Sequence, residues 1–253
     1  MSPPHRGQPL SASEQARIAD LLGLVPPGRS SVLDVGARDG RISRLLTSHC
    51  ASVTALDLHD PPSDIPRVRA VAADACDLPF PDDSFDLALC AEVLEHLRPE
   101  RLAKACAELA RVARLEVLIG VPYRQDVRAG RTTCASCGKR NPPWGHLNSF
   151  DEERLNSLFL ALRPVRTSFV GLALSSTNAV SAFLMDLAGD PSGTYHQQEV
   201  CVYCGRRLVA PRPGTLQKLL SRAALTLQSL QHSVASPAPA WIHVLYRKGE
   251  YGG

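Results

Sequence analysis

The feature that most constrains this sequence is an alternation of short apolar runs with stretches of helical periodicity. The runs are Ser31–Val35, Ser52–Leu58, "VRAVAAD", "FDLALCA" and "LEVLIGVP", with helical stretches over Arg41–Ser48 and Glu100–Ala113. Strands that alternate with helices build βαβ units, so the pattern predicts an α/β fold: a parallel sheet with helices on both faces. Ahead of it, the Ser-x-x-Glu start of "SASEQARIADLLGLV" predicts a short helix that "PPGRS" ends. Residues 1–12, rich in Pro, Ser and Gly, read as disordered. Beyond Pro122 the pattern changes, and residues 123–149 are polar, Gly/Pro/Cys-rich and too long for an ordinary connection. "SFDEERLNSLFLAL" is predicted as a helix capped by Ser149 or Asp151, and "VRTSFVGLAL" as a strand. A helix near Asn178–Leu187, an amphipathic helix over 214–232, a turn at "ASPAPA" and a last strand "WIHVLYRK" complete the reading. With 253 residues there is room for one sizeable domain with additions. We expect a tail and helix over 1–29, then one domain over 30–253 with insertions at about 123–148 and 176–213.

The first strand runs into "DVGARDG" and then a helix. Gly36 and Gly40 allow a tight turn and close approach of a ligand to the backbone. The Gly-x-Gly-x-x-Gly of a dinucleotide fold is missing, and Asp34 would repel a pyrophosphate while accepting hydrogen bonds from a cationic ligand's amine. Asp57 ends the second strand, 23 residues on, where a carboxylate can take both hydroxyls of a ribose. Asp74 ends the third, beside small Ala75, suited to an adenine amino group. One acid at each of three successive strand ends marks a ligand crevice at the carboxyl edge of the sheet.

Together "VLDVGARDG", "VTALDL", "AADACDLPFPDDSFDLALCAEVLEHL" and "VLIGVP" resemble the class I S-adenosylmethionine-dependent methyltransferases, of the kind called methyltransferase domain type 11. The resemblance covers residues 30 to about 175, and "WIHVLYRK" fits the last strand of that seven-stranded, Rossmann-like sheet. It implies S-adenosylmethionine as cofactor, touching Asp34, Gly36, Gly40, Asp57, Leu58, Asp74, Ala75 and the backbone near Cys90. The loop departs from the family at Arg38, where Gly is usual, so its side chain must point away or the site is weakened.

Residues 134–146, "CASCGKRNPPWGH", pose two incompatible readings. "NPPW" looks like the catalytic tetrapeptide of adenine methyltransferases, but there it directly follows the fourth strand. Here Ala91-Glu92-Val93 follows the fourth strand and "NPPW" lies beyond the fifth, so its position is wrong. The cysteines fare better. Cys134-x-x-Cys137-Gly and Cys201-x-x-Cys204-Gly are two knuckle-like turns whose four thiolates suit a closed tetrahedral Zn²⁺ site. Such a zinc would be structural, and 63 residues separate the pairs, so it would staple two distant additions together. Reduced or redox-active thiols are the competing reading. The other cysteines, Cys50, Cys76, Cys90 and Cys106, sit among apolar neighbours and read as small buried side chains.

"CAEVLEHL" places Glu92, Glu95 and His96 at an expected helix start, on one face. His146 stands where many of these enzymes carry a His facing the acceptor. One reading makes Glu92, Glu95, His96 and His146 a second, divalent-metal site, similar to those of small-RNA 2′-O-methyltransferases and of ubiquinone-synthesis O-methyltransferases. The other leaves Glu95 or His96 structural and His146 alone as base or positioning group. Either way methyl transfer would be an in-line displacement on an already activated donor, needing mostly alignment.

The chain is 44% hydrophobic and 21% charged, ordinary for a globular protein. No apolar run approaches the roughly 20 residues that span a bilayer, and the first residues lack a secretory h-region. We therefore expect a cytoplasmic protein with no membrane partner. A net charge of +3 is too small to argue for nucleic acid. The stretch Cys201–Gly249 nonetheless carries seven Lys or Arg and no Asp or Glu, either a footprint for an acidic partner or a solvated surface. The leading expectation is a small-molecule acceptor methylated on O or N; RNA is the alternative within the enzymes, and a non-catalytic binding module the alternative outside them.

Overall fold

The structure is a computed structural model that describes residues 10–59, 61, 64–174, 176–197 and 200–249. Most of the N-terminal stretch expected to be disordered, residues 1–9, lies outside the described residues. The chain forms two compact units. The first runs to Tyr123, resumes over Phe150–Gly171 and closes from Pro239; the second is Arg124–Ser149 with Leu172–Ala238.

The first unit holds a seven-stranded sheet: β1 (Ser31–Val35), β2 (Ser52–Asp57), β3 (Val68–Ala72), β4 (Phe85–Ala91), β5 (Ala113–Pro122), β6 (Leu162–Ala173) and β7 (Ala238–Lys248). Their spatial order is β3-β2-β1-β4-β5-β7-β6, with the first five parallel and β7 antiparallel to β5. This is the Rossmann-like sheet expected of a class I methyltransferase. Its central strands are mostly apolar because both faces are covered, Asp34, Asp86 and Glu116 apart. Leu33, Val35, Ala88, Cys90, Val117 and Ile119 turn to one face, against Leu102, Cys106 and Leu109 of helix α3 (Pro99–Val112). Val32, Val53, Leu87, Leu89 and Leu118 turn to the other, against Leu21 of α1 (Ala12–Gly23) and Leu46 of α2 (Arg41–Leu46). Cys50, Cys76, Cys90 and Cys106 are all buried in these two cores.

The caps follow local chemistry. Ser11 and Glu14 form a reciprocal capping box at the start of α1. Asp151, rather than Ser149, caps α4 (Glu152–Leu158) by accepting the Arg154 N–H at 3.0 Å. One expectation is corrected. Glu92, Glu95 and His96 do not open a helix: Glu92 has φ +58°, and Leu94–His96 is a single 3₁₀ turn. Pro99 is the reason, because the residue before a proline is driven to extended backbone, and Arg98 sits at ψ 153°. The helix can begin only there.

At the opposite end of β5, Glu116 is 1% exposed and holds two arginines. Arg29 donates to both its oxygens at 2.7 and 2.8 Å, and Arg247 donates to Oε1 at 3.0 and 3.1 Å. Removing an acid so enclosed strands two cations, which typically costs about 3 kcal/mol. Glu116→Ala is accordingly expected to lower the unfolding free energy by roughly 2–4 kcal/mol in urea melts. A loss below about 0.5 kcal/mol would show that solvent replaces the carboxylate.

The second unit contains an antiparallel ribbon of Thr132–Thr133 with Arg140–Asn141, and two helices, α5 (Ala179–Leu187) and α6 (Thr215–Val234).

Candidate donor site and cysteine cluster

The carboxyl ends of β1 and β2 are tied together by the loop between Val35 and Arg41. Gly36 (φ +80°) and Ala37 both donate to the Leu56 carbonyl, at 2.8 and 3.0 Å. A Cβ on Gly36 would lie 2.1 Å from Val93 Cγ2, so no larger residue fits. Gly40 (φ +71°) donates to Ala37 O at 2.7 Å and starts α2. Between them Arg38 is exposed and takes φ +47°, the left-handed backbone for which glycine is favoured. Its N–H donates to Asp57 Oδ2 at 2.8 Å, and the His59 N–H donates to Oδ1 at 3.2 Å. A carboxylate has about four lone-pair sites, so Asp57 retains capacity for further donors. Leu58, next in sequence, is 56% exposed, an apolar surface beside that acid.

Asp34 is 2% exposed, and its Oδ2 accepts from Ser43 Oγ at 2.5 Å. Burial pushes its carboxyl up to about 6, the Ser43 bond opposing and the charges of Asp57 and Asp39 adding. Asp74 has a cation partner that local pattern could not disclose. Arg101 Nη2 sits 2.7 and 2.6 Å from its two oxygens, and the Cys76 N–H donates at 2.9 Å. That N–H first, and Arg101 with it, hold Asp74 below its ordinary value despite partial burial. Ala75 packs against the core beside it. Cys90 is 1% exposed with its thiol raised by burial, so β4 presents backbone at that point.

Beyond β4 lies a polar cluster. The Glu92 N–H donates to Gly120 O at 2.9 Å, its Oε2 accepts from Trp241 Nε1 at 3.3 Å, and its Oε1 lies 3.8 Å from Arg17 Nη1. Arg17 also stacks over the Trp241 ring at 5.8 Å. Glu95 is fully buried, and among the described residues neither of its carboxyl oxygens has a hydrogen-bond partner. Burial, then the nearby Glu92 charge, push Glu95 well above the usual carboxylate range; burial also raises Glu92, with Arg17 opposing. His96 is exposed, with a ring nitrogen within 4.8 Å of a Glu95 oxygen. Arg17 and Trp241 carried no signal in the sequence, because each is an unremarkable member of an amphipathic element. His146 belongs to the second unit; it is 8% exposed, and its Nδ1 lies 2.6 Å from Gln125 Oε1.

The second unit brings Cys134, Cys137, Cys201 and Cys204 together, all sulfurs within 4.8 Å of one another. The two turns share one hydrogen-bond pattern. Cys134 N–H donates to Lys139 O and Gly138 N–H to Cys134 O; Cys201 N–H donates to Arg206 O and Gly205 N–H to Cys201 O. Gly138 and Gly205 both have φ +70°. The sulfurs of Cys134 and Cys204, and of Cys137 and Cys201, are 3.7 Å apart. Ligands on a tetrahedron with bonds of about 2.3 Å are separated by about 3.8 Å, so the four thiols match a tetrahedral thiophilic ion in spacing. Burial works against ionising Cys201, but the N–H groups of Tyr203 and Cys204 outweigh it and bring the thiol to about 6. The "NPPW" residues have a role here. Asn141 is 1% exposed, its Oδ1 accepting the Val202 N–H of the second knuckle at 2.9 Å and its Nδ2 donating to Lys139 O of the first. It is a brace between the knuckles.

The fold is that of the class I methyltransferases. Residues 33–119 match the methyltransferase domain family, and this segment of the chain is a domain of that family. The chain is 28% identical over 149 residues to a "probable S-adenosylmethionine-dependent methyltransferase" of Mycobacterium tuberculosis, covering 56% of this chain and 50% of that one. A ubiquinone biosynthesis O-methyltransferase of Xylella fastidiosa is 35% identical over 121 residues, 42% of this chain and 48% of the relative. The chain thus spans about half the length of the curated relatives it matches. Among solved structures, the Burkholderia thailandensis 1,6-didemethyltoxoflavin-N1-methyltransferase, bound to S-adenosylhomocysteine, shares the fold. Its TM-score is 0.53 at 18% identity, over 94% of this chain and 79% of that one.

The buried acid yields a pH test. Because the folded-state value of Asp34 lies above the unfolded one, the native state binds a proton that the unfolded chain has released between about pH 4 and 6. Its stabilisation is complete below about pH 4 and lost as pH rises through about 6. Wild type should therefore lose up to roughly 3 kcal/mol relative to Asp34→Asn across that window, read from urea melts as a function of pH. A constant difference would place the Asp34 value at its ordinary level.

Proposed function

We propose that this chain transfers the methyl group of S-adenosylmethionine to an oxygen or nitrogen atom of a small-molecule or biosynthetic acceptor. The observation that carries the reading is the glycine loop clamped between β1 and β2 within the family domain. In this reading the donor lies against Gly36, Gly40 and the Cys90 backbone, Asp34 and Asp57 would take its amine and ribose, and Leu58, Asp74 and Ala75 would receive the adenine. The names of the relatives, an O-methyltransferase and an N-methyltransferase among them, support a small acceptor and leave the methylated atom open. Chemically the donor brings its own leaving group, so the chain's residues align the acceptor and exclude water. Glu92, His96 and His146 are the groups we assign to positioning or deprotonating it.

The four cysteines hold a structural Zn²⁺ in this reading, closed to further ligands and so outside the methyl-transfer step. Support comes from the hydrogen-bond pattern the two knuckles share and from the sulfur spacing. A second reading adds a divalent cation near Glu92, Glu95 and His96, and it is favoured by the two buried Glu95 oxygens that no described residue satisfies. Manganese binding followed by electron paramagnetic resonance, lost in Glu95→Gln, would support it without recourse to activity.

Label from methyl-labelled donor, incubated with a cell extract fractionated into RNA, protein and small molecules, is expected in the small molecules. Label in RNA favours a nucleic-acid acceptor. With the donor demonstrably bound, absence of label from every fraction favours a non-catalytic binding module. The purified chain is expected to carry one zinc, lost together with thermal stability in Cys201→Ser; well under one zinc per chain would contradict the four-cysteine site.

A further inference from the structure

Helix α6 is turned inside out. The face it buries is largely polar around Ala224: Ser221 is 7% exposed, Gln228 Nε2 donates to Ser176 O at 3.1 Å, and Gln231 Oε1 accepts from Asn178 at 3.0 Å. His232 Nε2 lies 2.8 Å from the same Ser176 carbonyl. The face it leaves to solvent is apolar. Leu216, Leu219, Leu227, Leu230 and Val234 are 37–86% exposed, with exposed Ala223 between them. At 100° per residue, positions 216, 219, 223, 227, 230 and 234 fall within one narrow stripe. Packed beside it, α5 repeats the pattern with Val180, Phe183 and Leu187, each more than half exposed. An ordinary surface helix buries its apolar face and solvates its polar one. Here eight large apolar side chains on two neighbouring helices are left without cover, far more than the scattered single residues of a normal surface.

Charge says what covers them. Between Cys201 and Val234 the chain carries Arg206, Arg207, Arg212, Lys218 and Arg222 and no acidic residue. A second copy of this face would set cations against cations, which opposes a symmetric dimer. The stripe also advances 18 residues in five steps, the 3.6 period of a straight helix lying on a surface rather than the 3.5 of a coiled-coil seam. Lys218 and Arg222 are the charged side chains of α6 itself, and the one charge on α5, Asp186, is paired with Arg131 and Arg140. An apolar stripe on a helix that carries cations alone is the composition of one that lies in the interface of an anionic bilayer. We propose that the α5–α6 hairpin is a docking surface for anionic lipid membrane. A search for a spanning segment does not bear on this, since an interfacial helix never crosses the bilayer; no described helix is long and apolar enough to do so.

The test is flotation of the full chain with vesicles of phosphatidylcholine alone and with about one third phosphatidylglycerol. Partitioning is expected to be about tenfold or more stronger on the anionic vesicles and to fall with added salt. The charge-neutral pair Leu219→Gln and Leu230→Gln should reduce it about tenfold. Lys218→Gln with Arg222→Gln should erase most of the preference for anionic lipid. Both pairs are solvent-exposed, so melting temperature and S-adenosylhomocysteine affinity serve as controls that should not move. Equal partitioning on both vesicle types, or unchanged partitioning of the leucine pair, overturns the proposal. So does a concentration-dependent dimer in sedimentation that the leucine pair dissolves while vesicles are ignored. None of these readings depends on methyl transfer.

Discussion

Two backbone N–H groups converge on one carbonyl: those of Gly36 and Ala37 on the oxygen of Leu56. That convergence joins the ends of β1 and β2 and fixes where the loop turns. The local geometry of the sheet edge follows from it. The turn demands φ +80° at Gly36 and leaves no space toward Val93. It brings the Arg38 N–H onto Asp57, which orients that carboxylate, and it delivers Gly40 to the start of α2, where Ser43 reaches back to Asp34. Arg38 holds a left-handed conformation that costs a non-glycine residue about 1 kcal/mol. Arg38 thus takes a backbone conformation that favours glycine, with its residue exposed.

Much of the sheet was legible because its signals are local. Strands covered on both faces are mostly apolar, and Ser11 and Asp151 announce helices by the hydrogen bonds they can accept. Acids and glycines at strand ends gave the expectation of a crevice there. Contacts between residues distant in sequence were not legible. Nothing near Asp74 signals Arg101, and nothing near Glu92 signals Arg17 or Trp241. The helix expected at "EVLEH" was a misreading with a cue in plain sight, since Pro99 confines the helix start to itself. The inverted polarity of α6 was also hidden: its amphipathic period was evident, but the period does not say which face turns inward.

The cysteine region shows how a motif can be real for a reason other than the obvious one. Asn141 and its prolines resemble a catalytic tetrapeptide in the wrong place. In the folded unit the Asn side chain spans the two knuckles, and Trp144 takes φ +59° at the turn that follows. Small cysteine turns have too little core to hold themselves, so a buried amide linking both is a physical substitute for packing.

The account rests on the crevice binding S-adenosylmethionine-type ligands, and titration calorimetry of the wild-type chain and Gly36→Ala with S-adenosylhomocysteine tests it most directly. Binding by wild type, with affinity lowered at least about tenfold in the variant because its new methyl group must displace Val93 and the loop, is the predicted result. No heat of binding at millimolar ligand, or equal affinity in the two proteins, would contradict the placement of the donor and with it the proposed activity.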